Sequence, residues 1–360
     1  MISYRRGKVS RIREEDGSVQ WINAEIDGEE AKAVNYPDLT GRVKAGDEIV
    51  VNTTAVDLSL GTGGEHFVIT NLSEEKRKLD SKGHIMKLRY TPSQTQVMAA
   101  EAQESRYHEK IKEFESLHGM PVITATLHSM AAPIAAYIKK KRPDLNICYI
   151  MTDGGALMLP FSKNVKTLKE KGIIKASVTA GNAVGGDYET VNIYTALIAA
   201  KEAAECDIAV VSMGPGIAGT GTEFGFSGTE QGYISDGVIS LGGKSIMVPR
   251  ISFADRRERH KGLSHHSRTI FTKLSARKAD IVFPVLSEEE NAFLKSQIEE
   301  SEIGKFHNLI YRECTDMKDV LEHYGLRIKT MGRGYDEDSA FFDTLGAAAE
   351  YALECCRQEG

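Results

Sequence analysis

Short runs of alternating apolar and polar residues dominate the chain up to about residue 72. The turn dipeptides Asp16-Gly17 and Asp27-Gly28 separate such runs and are typical of tight β-hairpins. The candidate strands are Val9–Arg13, Val19–Ile26, Ala31–Tyr36, Glu48–Asn52 and Phe67–Thr70. Five or six short strands with tight turns predict a small all-β barrel, because closure removes the unpaired edges of a sheet.

The pattern changes near Met120, where apolar strand-like runs begin to alternate with helix-like stretches. The strand candidates are Val122–His128, Ile147–Thr152, Lys175–Thr179, Asp207–Met213, Lys244–Phe253, Asp280–Val285, His307–Cys314 and Leu326–Met331. The helix candidates are Ala131–Lys141, Phe161–Lys171, Asp187–Glu205, Asp255–Arg277, Ser287–Glu300 and Asp338–Arg357. This alternation predicts an α/β domain with a doubly wound, mostly parallel sheet. A (β/α)8-like barrel is the alternative architecture.

A charge-rich connector over residues 73–82 separates the two patterns and predicts a domain boundary. We therefore expect a β-barrel domain with its connector over residues 1–82 and an α/β domain over residues 83–360. Within the second domain, the segment Gly83–Pro92 can add one more strand, and the polar segment Ser93–Leu117 predicts a helix.

Composition excludes several classes of protein. Lys and Arg total 45 against 51 Asp and Glu, a net charge of −6 that is not concentrated in a tail. This balance argues against nucleic-acid binding and against a basic membrane-surface protein. No apolar run is long enough to cross a membrane, and no apolar segment follows the N-terminal charges as in a signal peptide. Five scattered cysteines do not form a disulfide framework, so a reducing cytoplasm is the expected compartment.

The carboxyl ends of the predicted strands are where either architecture places its ligand site. Two of these ends open into glycine-rich loops, over Thr179–Glu189 and Gly214–Glu223, whose backbone N–H groups can approach an anion closely. Asp187 is expected to start the helix that follows the first loop. The candidate ligand-binding residues are Gly185, Gly186, Asp187, Gly214, Gly216, Gly219, Thr220, Thr222 and Arg256.

Ionisable residues at the same strand ends are candidates for acid–base chemistry. The candidate catalytic residues are His128, Asp153, Glu223, His265 and His266. A histidine at such an edge can transfer protons, and the carboxylates can act as its partners or as metal ligands. Adjacent histidines on a helix point about 100° apart, so His265 and His266 are not expected to bind one metal together. No spacing in the sequence identifies a metal or another cofactor.

Five motifs resemble those of a bacterial family described as a domain of unknown function. They are the hinge-like Gly83–Pro92, Met151–Gly155, the Thr179–Glu189 loop, Gly219–Thr222 and Ser264–Ser267. The resemblance covers nearly the whole chain and implies a soluble bacterial protein. It implies no activity, cofactor or catalytic residue.

The residues favour, as the leading hypothesis, an enzyme that acts on a small anionic metabolite, a class that includes phosphorylated metabolites. Removing the side chains of His128 and Glu223 is expected to abolish binding or turnover with little change in the melting temperature. A non-catalytic metabolite sensor, with the β-barrel as its partner-binding module, is the alternative. Nucleotide binding is a second alternative, because Gly214–Gly219 matches G-x-G-x-x-G after a strand. The chain length is compatible with homo-oligomerisation, which no residue pattern indicates.

Overall fold

The N-terminal strands close into a barrel in the order β1-β2-β3-β5-β4. Four of the strand pairs are antiparallel, and the pair β3-β5 is parallel. A computed structural model of the chain describes residues 1–61, 63–78 and 83–357. The barrel elements are β1 (Tyr4–Glu15), β2 (Gln20–Ile26), β3 (Glu29–Asn35), α1 (Pro37–Thr40), β4 (Glu48–Asn52), α2 (Thr54–Asp57) and β5 (Glu65–Asn71). Alternate residues of these strands, such as Ile22, Ala24, Ile49 and Val51, fill the interior. The predicted small β-barrel is confirmed.

The segment between the barrel and the large sheet holds only short elements. They are β6 (Ile85–Lys87), β7 (Thr95–Val97) and α3 (His108–Lys112). The helix predicted over Ser93–Leu117 is therefore wrong except for one short turn, because the segment lacks an apolar stripe that could be buried along a longer helix. Of the predicted connector, residues 79–82 lie outside the described residues.

An open sheet of eight parallel strands forms the core of the rest of the chain, in the order β11-β10-β9-β12-β8-β13-β16-β17. Its strands are β8 (Pro121–Thr124), β9 (Ile147–Thr152), β10 (Ala176–Thr179), β11 (Tyr188–Glu189), β12 (Ile208–Met213), β13 (Lys244–Met247), β16 (Asp280–Pro284) and β17 (Asn308–Arg312). The short strands β14 (Ile251–Ser252) and β15 (Gly262–Leu263) pair separately. This α/β architecture is the doubly wound one predicted, and not the (β/α)8 alternative.

Helices cover both faces of this sheet. They are α4 (His128–Lys141), α5 (Lys163–Glu170), α6 (Ile193–Ile198), α7 (Glu230–Ser240), α8 (His265–Thr269), α9 (Glu288–Ser301), α10 (Met317–His323) and α11 (Ser339–Arg357). Successive residues of β9 point to opposite faces, so Tyr149 packs in the core under α4, whereas Cys148 and Ile150 pack under α6 and α7. Among the described residues, no helix is long and apolar enough to cross a membrane.

Two compact units emerge from the packing. One comprises the described residues of Met1–Lys82 together with Leu88–Gln96, and the other comprises Gly83–Lys87 and the described residues from Val97 onward. The predicted division at residue 82 thus differs from the packing only by the short segment Leu88–Gln96.

Two further element predictions are wrong. The predicted strand Leu326–Met331 has no regular ladder, and the predicted helix Asp255–Arg277 is broken into a short turn at Glu258–His260, the strand β15 and the short helix α8. Gly262, with a φ of +65°, provides the reason for the second break, because this conformation is incompatible with a continuous right-handed helix.

Candidate functional site

Strands β8 and β12 are neighbours at the centre of the sheet. The segment after β8 leads to a strand on one side of this pair, and the segment after β12 leads to a strand on the other side. The chain crosses from β8 through α4 to β9, and from β12 through α7 to β13 on the other side. In open parallel sheets, ligands bind outside the carboxyl ends of strands at such a switch in direction. The loops that follow β8, β9, β12 and β13 are therefore the part of the molecule where a site is expected.

His128 lies at this switch as the first residue of α4. Its Nε2 is 2.6 Å from the Ser162 hydroxyl oxygen, and its Nδ1 is 3.0 Å from the Tyr149 hydroxyl and 3.3 Å from the Met213 carbonyl oxygen. Burial lowers the pKa of His128 to about 4, so the imidazole is neutral near pH 7. Both nitrogens are engaged with protein groups, which gives His128 a positioning role among the ends of α4, α5, β9 and β12.

The expectation that His128 can be removed without an effect on melting therefore conflicts with these contacts. Ser162 was not among the sequence candidates, although it is the N-cap of α5 and its oxygen accepts the Val165 N–H. An N-cap serine is recognisable from sequence, but its contact with a histidine 34 residues earlier is not.

A buried carboxyl group lies beside the end of β9. Glu230 is only 5% exposed, and the Thr152 hydroxyl donates a hydrogen bond of 2.5 Å to its Oε1. Burial raises the pKa of Glu230 to about 7. A Cβ at position 154 would lie 2.5 Å from Glu230 Oε2, so the glycine at 154 is what allows the carboxyl group to approach the loop. Sequence reasoning missed Glu230, because it did not predict helix α7.

Asp153, a predicted catalytic residue, follows Thr152 directly and is exposed. Its Oδ2 accepts a hydrogen bond of 2.9 Å from the backbone N–H of Asn182. This contact joins the loop after β9 to the loop after β10. Asp153 also contributes to the raised pKa of Glu230, after the larger effect of burial, which brings the two carboxyl groups into one electrostatic environment.

The Thr179–Glu189 loop is organised from within. The Gly185 N–H donates to Glu189 Oε1 at 2.6 Å, and the Gly186 N–H donates to the Thr179 hydroxyl oxygen at 3.3 Å. Two N–H groups expected to face an anion thus have partners inside the loop. This geometry gives no support to the assignment of Gly185 and Gly186 to anion binding, which stays a prediction.

The buried side chain of Lys87 binds several groups of the Thr179–Glu189 loop. Its ammonium donates to the carbonyl oxygens of Thr179 at 3.0 Å and Ala183 at 2.6 Å, and to Glu189 Oε2 at 2.7 Å. The side chain is 2% exposed. Burial lowers the pKa of Lys87, and the Glu189 carboxylate opposes that effect. Three acceptors use all three N–H donors, so this lysine holds the loop in place.

Asp187 does not start a helix, which corrects the prediction. It precedes β11, and its Oδ2 accepts hydrogen bonds of 2.8 Å from both the backbone N–H and the hydroxyl group of Ser177. Its other oxygen pairs with Lys169 at 2.5 Å. Helix α6 begins only after Asn192, whose side chain forms a capping box with Thr195.

The loop after β12 packs closely against the loop after β9. A Cβ at Gly214 would lie 2.1 Å from the Ala156 carbonyl oxygen, so only glycine fits there. Gly216 has a φ of +98°, which also favours glycine. Gly219 then pairs with Phe226 as an antiparallel bridge.

The tip of this loop is a narrow hairpin. The Thr220 N–H donates to the Gly225 carbonyl oxygen at 2.8 Å, and the hydroxyl groups of Thr220 and Thr222 lie 2.9 Å apart. Glu223 forms a solvent-exposed ion pair of 2.5 Å with Lys273. A dinucleotide-binding G-x-G-x-x-G begins a helix, whereas this hairpin leads to a short turn at Ser227–Thr229.

Three histidines converge beyond the end of β13. One ring nitrogen from each of His260, His265 and His266 can be chosen so that the three atoms lie within 4.8 Å of one another. The rings of His265 and His266 have their centroids 4.2 Å apart, closer than the angle of about 100° between adjacent helical positions led us to expect. Both begin the short helix α8, where the long side chains can turn toward a common point despite the angle between their Cβ atoms. His260 was not among the sequence candidates.

All three imidazoles are neutral near pH 7. Burial and the nearby Arg250 guanidinium lower the pKa of His260 to about 3. Burial also lowers the pKa of His266 to about 4, and that of His265 shifts in the same direction. A neutral imidazole has an unprotonated nitrogen, which is the form that binds a metal ion.

Arginines surround this histidine cluster. Asp255, predicted to start a helix, is instead buried, and its Oδ2 pairs with Arg250 at 2.8 Å and with Arg257 at 2.9 Å. The hydrogen bond from Arg257 holds the pKa of Asp255 well below its usual range. Arg256, the predicted ligand-binding arginine, is exposed next to this pair.

The loop after β12 joins the carboxyl groups to the histidine cluster. A Cβ at Gly155 would lie 2.3 Å from the Gly214 carbonyl oxygen, at one end of the loop. At the other end, the Phe226 ring stacks on His266 with centroids 3.9 Å apart. The segment that carries Gly214 and Gly219 therefore links the loop after β9 to His266.

Comparisons with known proteins give low-scoring matches to solved structures and one match to a family. No curated protein matches it. A point mutant of L. casei FPGS matches at 10% identity and a TM-score of 0.29, over 70% of this chain and 61% of the other. The Signal Recognition Particle 54 kDa protein from Aeropyrum pernix K1 in complex with GDP matches at 12% identity and a TM-score of 0.30, over 70% and 55%. The chain thus spans about three fifths of the first of these structures and less of the second.

The family comparison covers much more of the sequence. The model of DUF3866, whose description is "Protein of unknown function", matches residues 32–349. That range includes β4, β5 and part of β3 of the barrel, and all five motifs on which the resemblance rests. The chain belongs to the DUF3866 family.

Proposed function

We propose that this chain is an enzyme that acts on a small anionic metabolite at the carboxyl edge of its eight-stranded sheet. One observation carries the proposal: the loop over Gly214–Phe226 contacts the carboxyl-bearing loop after β9 at one end and His266 at the other. Acid–base groups and cationic groups are thereby collected along one edge, where parallel sheets of this type bind their ligands.

Arginine side chains supply the attraction for an anion. Arg257 is about half exposed while it pairs with Asp255, and Arg256 beside it is exposed. A guanidinium group can bind a carboxylate or a phosphate through two parallel hydrogen bonds. We therefore place the anion on the arginine side of the edge. In the Thr179–Glu189 loop, the N–H groups of Gly185 and Gly186 already have partners within the loop.

Glu230 is the acid–base group in this proposal. A carboxyl group that titrates near neutral pH is suited to both accepting and donating a proton. Its Oε2 faces the backbone of Gly154, where no side chain intervenes. Asp153 remains its proposed partner, whereas the exposed ion pair of Glu223 with Lys273 gives no support for an acid–base role.

The experiment is a thermal-shift screen of the purified chain with inorganic phosphate, a sugar phosphate, small dicarboxylic acids and a dinucleotide. A ligand at a hundredfold excess over its Kd stabilises the folded state by about 2.7 kcal/mol. We expect one anionic class to raise the melting temperature and to be consumed by the chain. Glu230→Gln should keep the shift and lose turnover, while Glu223→Gln should keep both.

Failure of every anion to shift the melting temperature would overturn the proposal. A shift produced by the dinucleotide alone would favour the nucleotide alternative. The chain would instead be a metabolite sensor if an anion binds without turnover; the separate packing of the barrel favours this as the second candidate.

The five cysteines are free thiols, which supports a reducing compartment such as the cytoplasm.

A further inference from the structure

We propose that His260, His265 and His266 together bind one divalent transition-metal ion of the zinc class. Their nitrogens converge from two segments of the chain, the turn at Glu258–His260 and the start of helix α8. This inference deepens the proposed function, because it gives the anionic substrate a metal ion to bind. The binding of the ion itself can be measured without any substrate.

The spacing of the nitrogens is close to that of a metal site. Three imidazole nitrogens about 2.1 Å from a tetrahedral zinc ion lie about 3.4 Å from one another. The three histidine nitrogens already fall within 4.8 Å of one another. Their separations thus exceed the tetrahedral spacing by no more than about 1.4 Å.

One nitrogen of the cluster needs a partner. Among the described residues, His265 Nε2 is buried and has no hydrogen-bond partner. A buried polar atom without a partner destabilises the folded state relative to one that has a partner. A bond to a metal ion would satisfy this nitrogen, whereas the tilted and edge-on contacts among the three rings do not.

Ser264 contacts two of the three histidines. Its hydroxyl group is 2.8 Å from His260 Nδ1 and also accepts the His266 N–H at 3.3 Å as the N-cap of α8. The Arg250 guanidinium, which can only donate, lies 3.3 Å from the same Nδ1, so two neighbouring groups fix the position of this nitrogen. Metal binding through Nε2 requires that Nδ1 carry the proton and donate it to the Ser264 oxygen.

The ligand set identifies the class of metal. Neutral imidazoles suit zinc, copper, nickel and iron ions, whereas magnesium and calcium ions prefer oxygen ligands. Three protein ligands leave a fourth position open, as in catalytic rather than structural zinc sites. The arginines near the cluster, Arg250 and Arg257, would favour an anion in that position, because each carries a positive charge that Asp255 alone does not balance.

The test is direct metal binding by the full chain after treatment with a chelator. Zn²⁺, Co²⁺ and Mg²⁺ are titrated separately by calorimetry, and the Co²⁺ complex is followed by visible absorption, which is intense for four-coordinate cobalt. We expect one Zn²⁺ per chain, a four-coordinate Co²⁺ spectrum and no binding of Mg²⁺. His265→Ala and His266→Ala should each weaken Zn²⁺ binding by about 100-fold or more, since even loss of an outer hydrogen bond costs 10–100-fold.

The exposed His323 of α10 provides the matched control, and His323→Ala should bind Zn²⁺ as the parent does. Far-UV circular dichroism confirms that each variant is folded. Equal Zn²⁺ binding by the parent and both cluster variants would place the metal elsewhere and overturn the inference, as would no binding by the parent.

The anion screen is repeated with and without Zn²⁺ to separate the two proposals. Zn²⁺ binding without any anion effect would retain the metal site and reject the proposed function. An anion effect that is unchanged by Zn²⁺, in a chain that does not bind Zn²⁺, would do the reverse.

Discussion

Replacing Glu230 with glutamine tests the central claim about the carboxyl edge. The glutamine keeps the size of the side chain and can still accept the hydrogen bond from Thr152, but it does not titrate. Because burial raises the pKa of Glu230, the folded chain binds more protons than the unfolded chain between the two pKa values. The free energy of unfolding of the parent should therefore fall as the pH rises through this interval.

The size of the effect follows from the pKa difference. Glu230 has a pKa of about 7, against an ordinary value of 4.5. At about 1.4 kcal/mol per pKa unit, ionisation of this group costs the folded state about 3 kcal/mol at neutral to alkaline pH. Glu230→Gln removes that cost. We expect the variant and the parent to be similarly stable near pH 4.5, and the variant to be more stable by up to about 3 kcal/mol near pH 8.

Urea unfolding across this pH range measures the difference. Far-UV circular dichroism follows the helices of the α/β unit, whereas the single tryptophan, Trp21, lies in β2 and reports on the barrel. Glu223→Gln, at an exposed ion pair, is the matched control and should reproduce the parent. Parallel pH profiles for the parent and Glu230→Gln would refute the raised pKa and, with it, the acid–base assignment.

The remaining predictions concern groups that hold the edge together. Lys87→Met should cost about 3–5 kcal/mol of unfolding free energy by urea titration, because it leaves Glu189 without its buried partner; Lys110→Met, at an exposed pair, should cost less than about 1 kcal/mol. Equal losses would refute the role of Lys87. His128→Ala should lower the melting temperature and cost about 2–4 kcal/mol, and an unchanged melt would return His128 to the catalytic candidates. Asp255→Asn should destabilise the chain near neutral pH and flatten its loss of stability below about pH 4, since a lowered carboxyl pKa stabilises the folded state only above that range.

The alternation of strands and helices was sufficient to predict the architecture, because burial on both faces of the sheet imposes continuous apolar runs such as Ile147–Thr152. Helix α7 escaped prediction because it contains Gly232 and Gly237, which intrinsic preferences disfavour. Its packing requires them: a Cβ at 232 would lie 2.9 Å from the Leu274 backbone, and one at 237 would lie 3.1 Å from the Tyr194 ring. Close packing between distant segments thus outweighed local preference.

At the candidate site, too, the sequence predicted the placement of loops but not the contacts between distant residues. The strand-end argument expected the loop after β12 and His266 at one edge of the sheet, and a Cβ at Gly219 would lie 4.0 Å from His266 Cε1. The partners of buried polar groups could not be predicted, because they come from distant parts of the sequence. Lys87, for example, lies 102 residues from Glu189. His260 joins the histidine cluster through a turn that the sequence pattern assigned to a continuous helix.

The position of β8 has a consequence for synthesis of the chain. β8 is the first strand of the large sheet along the sequence, yet it pairs with β12 and β13, which come much later. About 84 residues separate Thr124 from Ile208, and at 5–20 residues per second a ribosome takes roughly 4–17 s to make them. β9 and β10 can pair during this interval, but β8 cannot find a native neighbour. The central strand of the sheet therefore stays without its native neighbours until synthesis has passed β12.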